Sequence, residues 1–132
     1  MTSLKQVGIA VVEHAGRYLV GVRGPDVPLA GFAEFPGGKF LINESPFDCA
    51  IRECLEESGL AVIPERLLQH KEFEYPHGHV SLHFVLCHPA NQNEVQDQHH
   101  QFRWHSVQDL KALKFPEANT DVINSITCVA GE

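Results

Sequence analysis

The stretch that decides the fold runs from Phe35 to Leu60, FPGGKFLINESPFDCAIRECLEESGL. Its second half reads as one short helix with clear punctuation. Ser45 suits the N-cap, Pro46 the first helical position, and Asp48 a weak capping box at the positive end of the dipole. Gly59 suits the left-handed residue that ends it. On a helical wheel Phe47, Ala50, Ile51, Cys54, Leu55 and Ser58 form a core-facing stripe. Glu53, Glu56 and Glu57 gather opposite or beside it, with Glu57 nearest the apolar edge. Like charges three and four apart on an exposed helix repel by roughly 0.2–0.5 kcal/mol per pair, so the crowding needs a reason.

Two readings compete. The bland one is a solvated helix face, which is what most charge clusters are. A helix seeking only solubility would interleave Lys with Glu at i,i+4, whereas here Arg52 is almost the sole neutralising base. Arg52 stands one turn before Glu56 and can brace a carboxylate bidentately. The sharper reading is a divalent cation site. Hard cations take several oxygen ligands from a rigid element, and Gly37-Gly38 lets the backbone approach and offers a carbonyl oxygen. Magnesium held there would bind substrate phosphates.

Outward from this stretch the chain alternates strands with helices. Val7–Val12 is apolar and β-branched, a turn falls at His14–Gly16, and Arg17–Arg23 resumes as a strand. Gly24–Pro28 is a loop, and Gly31–Phe35 is a short extended piece leading into the Pro-Gly-Gly turn. Leu67–Tyr75 and His79–His88 read as a hairpin around Pro76-His77-Gly78, with Val80, Leu82, Phe84 and Leu86 on one apolar face. Asn91–Gln101 is polar and loop-like. Phe102–His105 is a strand, Ser106-x-x-Asp109 caps a short helix, and Asp121–Cys128 is a last amphipathic helix. Interleaving of this kind predicts an α/β fold, a mixed sheet with helices packed on its faces.

At 132 residues the chain predicts a single domain over 1–132. No apolar run approaches the roughly 18 residues that span a bilayer, and Met1–His14 lacks the apolar core of a signal peptide. A cytoplasmic protein with no membrane partner is the expectation. A net charge of −7 shows no basic field for a nucleic acid polymer. The four cysteines, Cys49, Cys54, Cys87 and Cys128, make no C-x-x-C pair and read as buried, reduced thiols. The nine histidines lack the helical H-x-x-x-H pattern of zinc enzymes.

The order of fixed residues is more specific than any of these. Gly38, Glu44 and Arg52-Glu53-Cys54-Leu55-Glu56-Glu57-Ser58-Gly59-Leu60 resemble the Nudix box, G-x5-E-x7-R-E-U-x-E-E-x-G-U with U bulky and apolar, over residues 38–60. Cys54 at a U position is the one soft departure. The resemblance implies a Nudix-type α/β/α sandwich with helices on both faces of its mixed sheet. It implies hydrolysis of a nucleotide pyrophosphate linkage with Mg²⁺, Mn²⁺ being able to substitute. Glu53, Glu56 and Glu57 would be metal ligands with the Gly38 carbonyl, Arg52 would orient a carboxylate, and Glu44 would support the loop. Arg52, Glu53, Glu56 and Glu57 would thus be the catalytic set, acting on a metal-activated water that attacks phosphorus in line.

Outside the box, EFPGGK, KEFEYPHGHVSLHFVL and WHSVQDLKALKFPEAN resemble the MutT branch, which removes damaged purine nucleotides from the triphosphate pool. That resemblance implies substrate contacts at Arg23, Tyr75 and Asn119, and Lys39 can add one to phosphate. A solvated strand-end Arg, a turn aromatic, a helix-entry Asn and a solvated Lys are the plain alternatives. The branch carries a glutamate before the Trp strand as base or further ligand, where this chain has Gln98 or His99. Glu94 and Asp97 lie close but out of register. Either the loop slides, His99 serves as base, or a box glutamate such as Glu56 does. CTP or dCTP derivatives, ADP-ribose and other sugar nucleotides are alternative substrates. A non-catalytic nucleotide sensor is an alternative of another class. Both a monomer and a homodimer are compatible with the pattern.

Overall fold

The computed structural model describes the backbone of residues 4–76 and 78–130, and the side chains of residues 75 and 128–130 lie outside the described set. Apolar alternation makes Leu4–His14 a long strand, β1, which reverses at Ala15-Gly16 into β2 (Arg17–Val22). Two short strands, β3 (Ala33–Glu34) and β4 (Gly37–Lys39), pair with β2 and β1 respectively. The Pro-Gly-Gly segment, expected as a turn, is therefore strand from Gly37 onward. The ladder is possible because Gly37 lacks a side chain: a Cβ there would stand 2.7 Å from the Gly8 carbonyl oxygen.

Helix α1 spans Pro46–Ser58. The Ser45 hydroxyl accepts from the Asp48 N–H, and Gly59 ends the helix at φ 77°. The hairpin of β5 (Val62–Tyr75) and β6 (Gly78–Pro89) is longer than the sequence pattern suggested. A 3₁₀ turn (Gln92–Glu94) precedes β7 (Gln98–His99), a strand inside the stretch expected as loop. Then come β8 (Phe102–Ser106), α2 (Val107–Ala112), a 3₁₀ turn (Glu117–Asn119) and α3 (Thr120–Ala130).

The strand order is β5-β6-β1-β2-β8-β7, with β1–β6 parallel and the other pairs antiparallel, so the sheet is mixed. Successive residues of β1 face opposite sides. Ala10 and Val12 pack with Ala50 and Cys54 of α1, while Val11 packs with Leu110, Val122, Ile123 and Ile126 of α2 and α3. Helices thus cover both faces, the α/β/α arrangement. Fully burying a large apolar side chain such as Phe84 contributes about 1.5–3 kcal/mol. Among the described residues no helix is long and apolar enough to cross a membrane.

A further expectation is corrected. The core stripe of α1 is narrower than the wheel indicates, because Phe47 is 38% and Leu55 49% exposed. The helix rests on the sheet through Cys49, Ala50, Cys54 and Ser58. Gly8 of β1 lies directly beneath, and a Cβ on it would meet Cys49 at 2.8 Å. At that separation only small side chains fit between helix and strand. Cys49, Cys54 and Cys87 are buried and free, and the Cys128 side chain lies outside the described residues.

Candidate active site

Helix α1 packs against strand β4. The Glu53 carboxylate lies against Gly38, where an added Cβ would stand 2.4–2.5 Å from its carboxyl atoms. Glu57, one turn later, accepts a hydrogen bond from the Gly37 N–H at 3.0 Å. Burial pushes the Glu57 carboxyl up to about 7, and the nearby charges of Glu53, Glu34 and Glu56 add to this. Cys49 donates its thiol hydrogen to the Gly38 carbonyl at 3.3 Å; burial raises this thiol to about 11, so it stays protonated.

Arg52 organises the rest. Its Nε and Nη2 form a fork on Glu44 at 2.8 and 2.9 Å, and Nη2 also donates to the Lys39 carbonyl at 2.9 Å. Its Nη1 reaches Glu53 at 3.0 Å and both Glu56 oxygens at 3.0 and 3.1 Å. The bidentate partner is therefore Glu44, whose other bond, from the Leu41 N–H at 2.9 Å, closes the loop before the helix. Hydrogen bonding to Arg52 holds the Glu44 carboxyl down at about 2, and the three carboxylates raise the Arg52 guanidinium above its ordinary value. The repulsion inferred from sequence is visible at Glu57, while Arg52 supplies the counter-charge at Glu53 and Glu56. As they stand, no three His, Cys, Asp or Glu side chains among the described residues are placed to hold a metal ion.

The expected base-pocket residues are held by contacts of their own. Arg23, just past β2, donates to the Pro28 carbonyl at 2.7 Å and pairs with Glu34 at 3.0 Å. Asn119 ends the 3₁₀ turn before α3 and donates to the Pro116 carbonyl at 3.3 Å. Arg23 is tied to β3 through Glu34, and the segment leading to Asn119 is tied to the same region: the Ala33 N–H donates to the Lys114 carbonyl at 2.8 Å, and Phe35 stacks on Phe115 with centroids 5.2 Å apart. Lys39 is exposed on β4, and the Tyr75 side chain lies outside the described residues.

Gln98 and His99 are placed at the far end of α1, in β7. The Gln98 amide is occupied, donating to the His100 carbonyl at 2.8 Å and accepting from Arg103 at 3.0 Å. His99 is buried edge-on to Trp104, and its Nε2 accepts from the Gln96 N–H at 3.0 Å. Burial, with His100 beside it, lowers the pKa of this imidazole. Both side chains are engaged in holding the hairpin. Three neighbours were missed from sequence: Glu34, Cys49 and His100, whose Nδ1 donates to the Glu57 carbonyl at 2.7 Å. Only Glu34 had a signal, its place in the EFPGGK string.

The NUDIX domain model matches residues 7–125, and the chain belongs to the Nudix hydrolase family. Within that family of enzymes it is MutT-like. It is 29% identical over 119 residues to the 8-oxo-dGTP diphosphatase of Escherichia coli strain K12, covering 89% of this chain and 92% of that one. It is 31% identical over 124 residues to the CTP pyrophosphohydrolase of the same strain, covering 89% and 85%. The solution NMR structure of MutT from methicillin-resistant Staphylococcus aureus 252 aligns at a TM-score of 0.76 and 29% identity, covering 97% and 98%. Nudix hydrolases generally use a divalent metal and act on small nucleotide substrates.

Proposed function

We propose that this protein is a Mg²⁺-dependent pyrophosphohydrolase, one domain over 1–132, that converts a (deoxy)nucleoside triphosphate to its monophosphate and pyrophosphate. The observation that supports it best is the seating of the Glu53 carboxylate on Gly38, in the space a Cβ would fill. Glu53, Glu56, Glu57 and the Gly38 carbonyl offer only oxygen donors, the set a hard cation prefers, so these residues fit Mg²⁺ or Mn²⁺. When bound, the cation supplies Lewis-acid polarisation of a phosphoryl oxygen and a more acidic water.

The chain's own residues do the remainder. Arg52 fixes Glu44, Glu53 and Glu56 in one arrangement, which lowers the reorganisation needed for in-line attack. With Gln98 and His99 engaged elsewhere, the exposed Glu56 carboxylate is the residue to take the proton of the attacking water. Asn119 keeps its Oδ1 and one N–H for the base edge, and an amide reads donor and acceptor together. Arg23, held by Glu34 and the Pro28 carbonyl, and Lys39 supply positive charge along the nucleotide, and Tyr75 an aromatic face.

An oxidised purine nucleotide is the favoured substrate, given the similarity to 8-oxo-dGTP diphosphatases. The similarity to a CTP pyrophosphohydrolase supports CTP or dCTP as the second reading. A panel of nucleoside triphosphates and sugar nucleotides with Mg²⁺, scored for monophosphate and pyrophosphate, tests both. Tight binding of one nucleotide without turnover of any would replace the enzyme reading with a sensor.

A further inference from the structure

The turn between β7 and β8 carries a residue that the Nudix box does not account for. His100 sits at φ 55°, a left-handed backbone that costs a non-glycine residue of order 1–3 kcal/mol. Its Nδ1 stands 2.7 Å from the Glu57 backbone carbonyl. A carbonyl can only accept, so Nδ1 carries the proton. That carbonyl belongs to the last turn of α1, where no intrahelical donor remains for it. The hairpin is braced around His100. Gln98 bonds its carbonyl and Arg103 bonds Gln98, while His99 fixes the approach through the Gln96 N–H. Glu57 is therefore tied at both ends, by His100 at its carbonyl and by the Gly37 N–H at its carboxylate, 3.0 Å away.

We propose that His100 is a positioning residue, which holds the end of α1 through the Glu57 carbonyl and so keeps the Glu57 carboxylate on the Gly37-Gly38 strand. The inference rests on Glu57 being a cation ligand, as proposed above. His100 itself touches no reacting atom and acts through Glu57. An ordinary helix cap would affect stability alone, whereas a positioning residue changes cation affinity.

The test uses the full chain, with Mn²⁺ binding to nucleotide-free protein read by EPR beside kcat, KM and thermal midpoint. His100→Ala should weaken Mn²⁺ binding about tenfold, the low end for partners that orient a ligand. His100→Asn should recover most of it, because its Nδ2–H can stand where the imidazole Nδ1–H stands and Asn tolerates the left-handed backbone. If His100→Ala melts earlier yet binds Mn²⁺ like the wild type, the proposal is overturned, as it is if Asn behaves like Ala. Should His100→Ala fail to fold, Gln98→Leu, which frees the His100 carbonyl, is read by the same criterion. Glu57→Gln in the same assay separates the two claims. Unchanged Mn²⁺ affinity there removes the ligand assignment, whereas lost affinity beside an unaffected His100→Ala removes only the role of His100.

Discussion

The Glu53 carboxylate occupies the space in which a side chain at Gly38 would begin, with its two oxygens 2.5 Å from an ideal Cβ. No real Cβ tolerates such contact, so any side chain at 38 would force the Glu53 carboxylate to swing off the strand. With glycine there, the carboxylate helix is brought against backbone carbonyl oxygen rather than against another side chain.

Gly38→Ala should therefore displace Glu53 and reduce kcat/KM at least 100-fold, at a stability cost of about 1–3 kcal/mol, typical of overpacking. Gly37→Ala should behave differently, because its Cβ would strike the Gly8 backbone at 2.7 Å, and backbone cannot swing away. Urea midpoints beside steady-state rates distinguish the two. Near-normal activity in Gly38→Ala would remove the glycine from the site.

Glu57→Gln should reduce turnover by about 10³-fold, roughly 4 kcal/mol of transition-state stabilisation. The amide oxygen can still accept from the Gly37 N–H, so the fold should survive, as circular dichroism would show. Activity within tenfold of wild type would contradict the assignment of Glu57 as a ligand.

The pH dependence of metal-free stability follows from the same residue. The Glu57 carboxyl titrates at about 7 in the folded protein, against an ordinary value of 4.5. Between these values the folded state binds more protons than the unfolded one, so this contribution to stability falls as pH rises from about 4.5 through 7. With EDTA present, the wild-type urea midpoint should fall relative to that of Glu57→Gln between pH 5 and 8 (about that range, by the same linkage). A constant difference across the range would show that Glu57 is not protonated there.

Asn119→Ala should alter base preference while leaving metal dependence intact. Losing an amide matched to one base edge costs about 1–3 kcal/mol against the partner left unpaired, or about 5- to 150-fold in kcat/KM for the preferred nucleotide. The substrate panel measures this directly. An equal loss for every nucleotide would place Asn119 outside the base pocket.

Much of the architecture was legible in the chain. Ser45, Pro46 and Gly59 fixed the limits of α1 because capping is local chemistry. The fixed residues from Gly38 to Leu60 carried the family, and the NUDIX match over residues 7–125 agrees with them. Strands β4 and β7 were not legible. Each is two or three residues long, too short to show alternation, and is defined by its partner: the distant β1 pairs with Gly37–Lys39, and β8, just across a tight turn, pairs with Gln98–His99.

Composition and spacing determined that three glutamates would crowd one helix with Arg52 as their main counter-charge. Tertiary structure alone decided how that charge is shared: the Arg52 fork closes on Glu44 rather than on Glu56, and Glu57 turns to the Gly37 N–H. It also decided that Phe47 and Leu55 face solvent while Cys49 and Ala50 meet the sheet, because Gly8 lets the helix settle too close for larger side chains. The contact between His100 and Glu57 spans 43 residues. Residue periodicity reports which face of an element is buried; it carries no information about which distant backbone atom a side chain will find there.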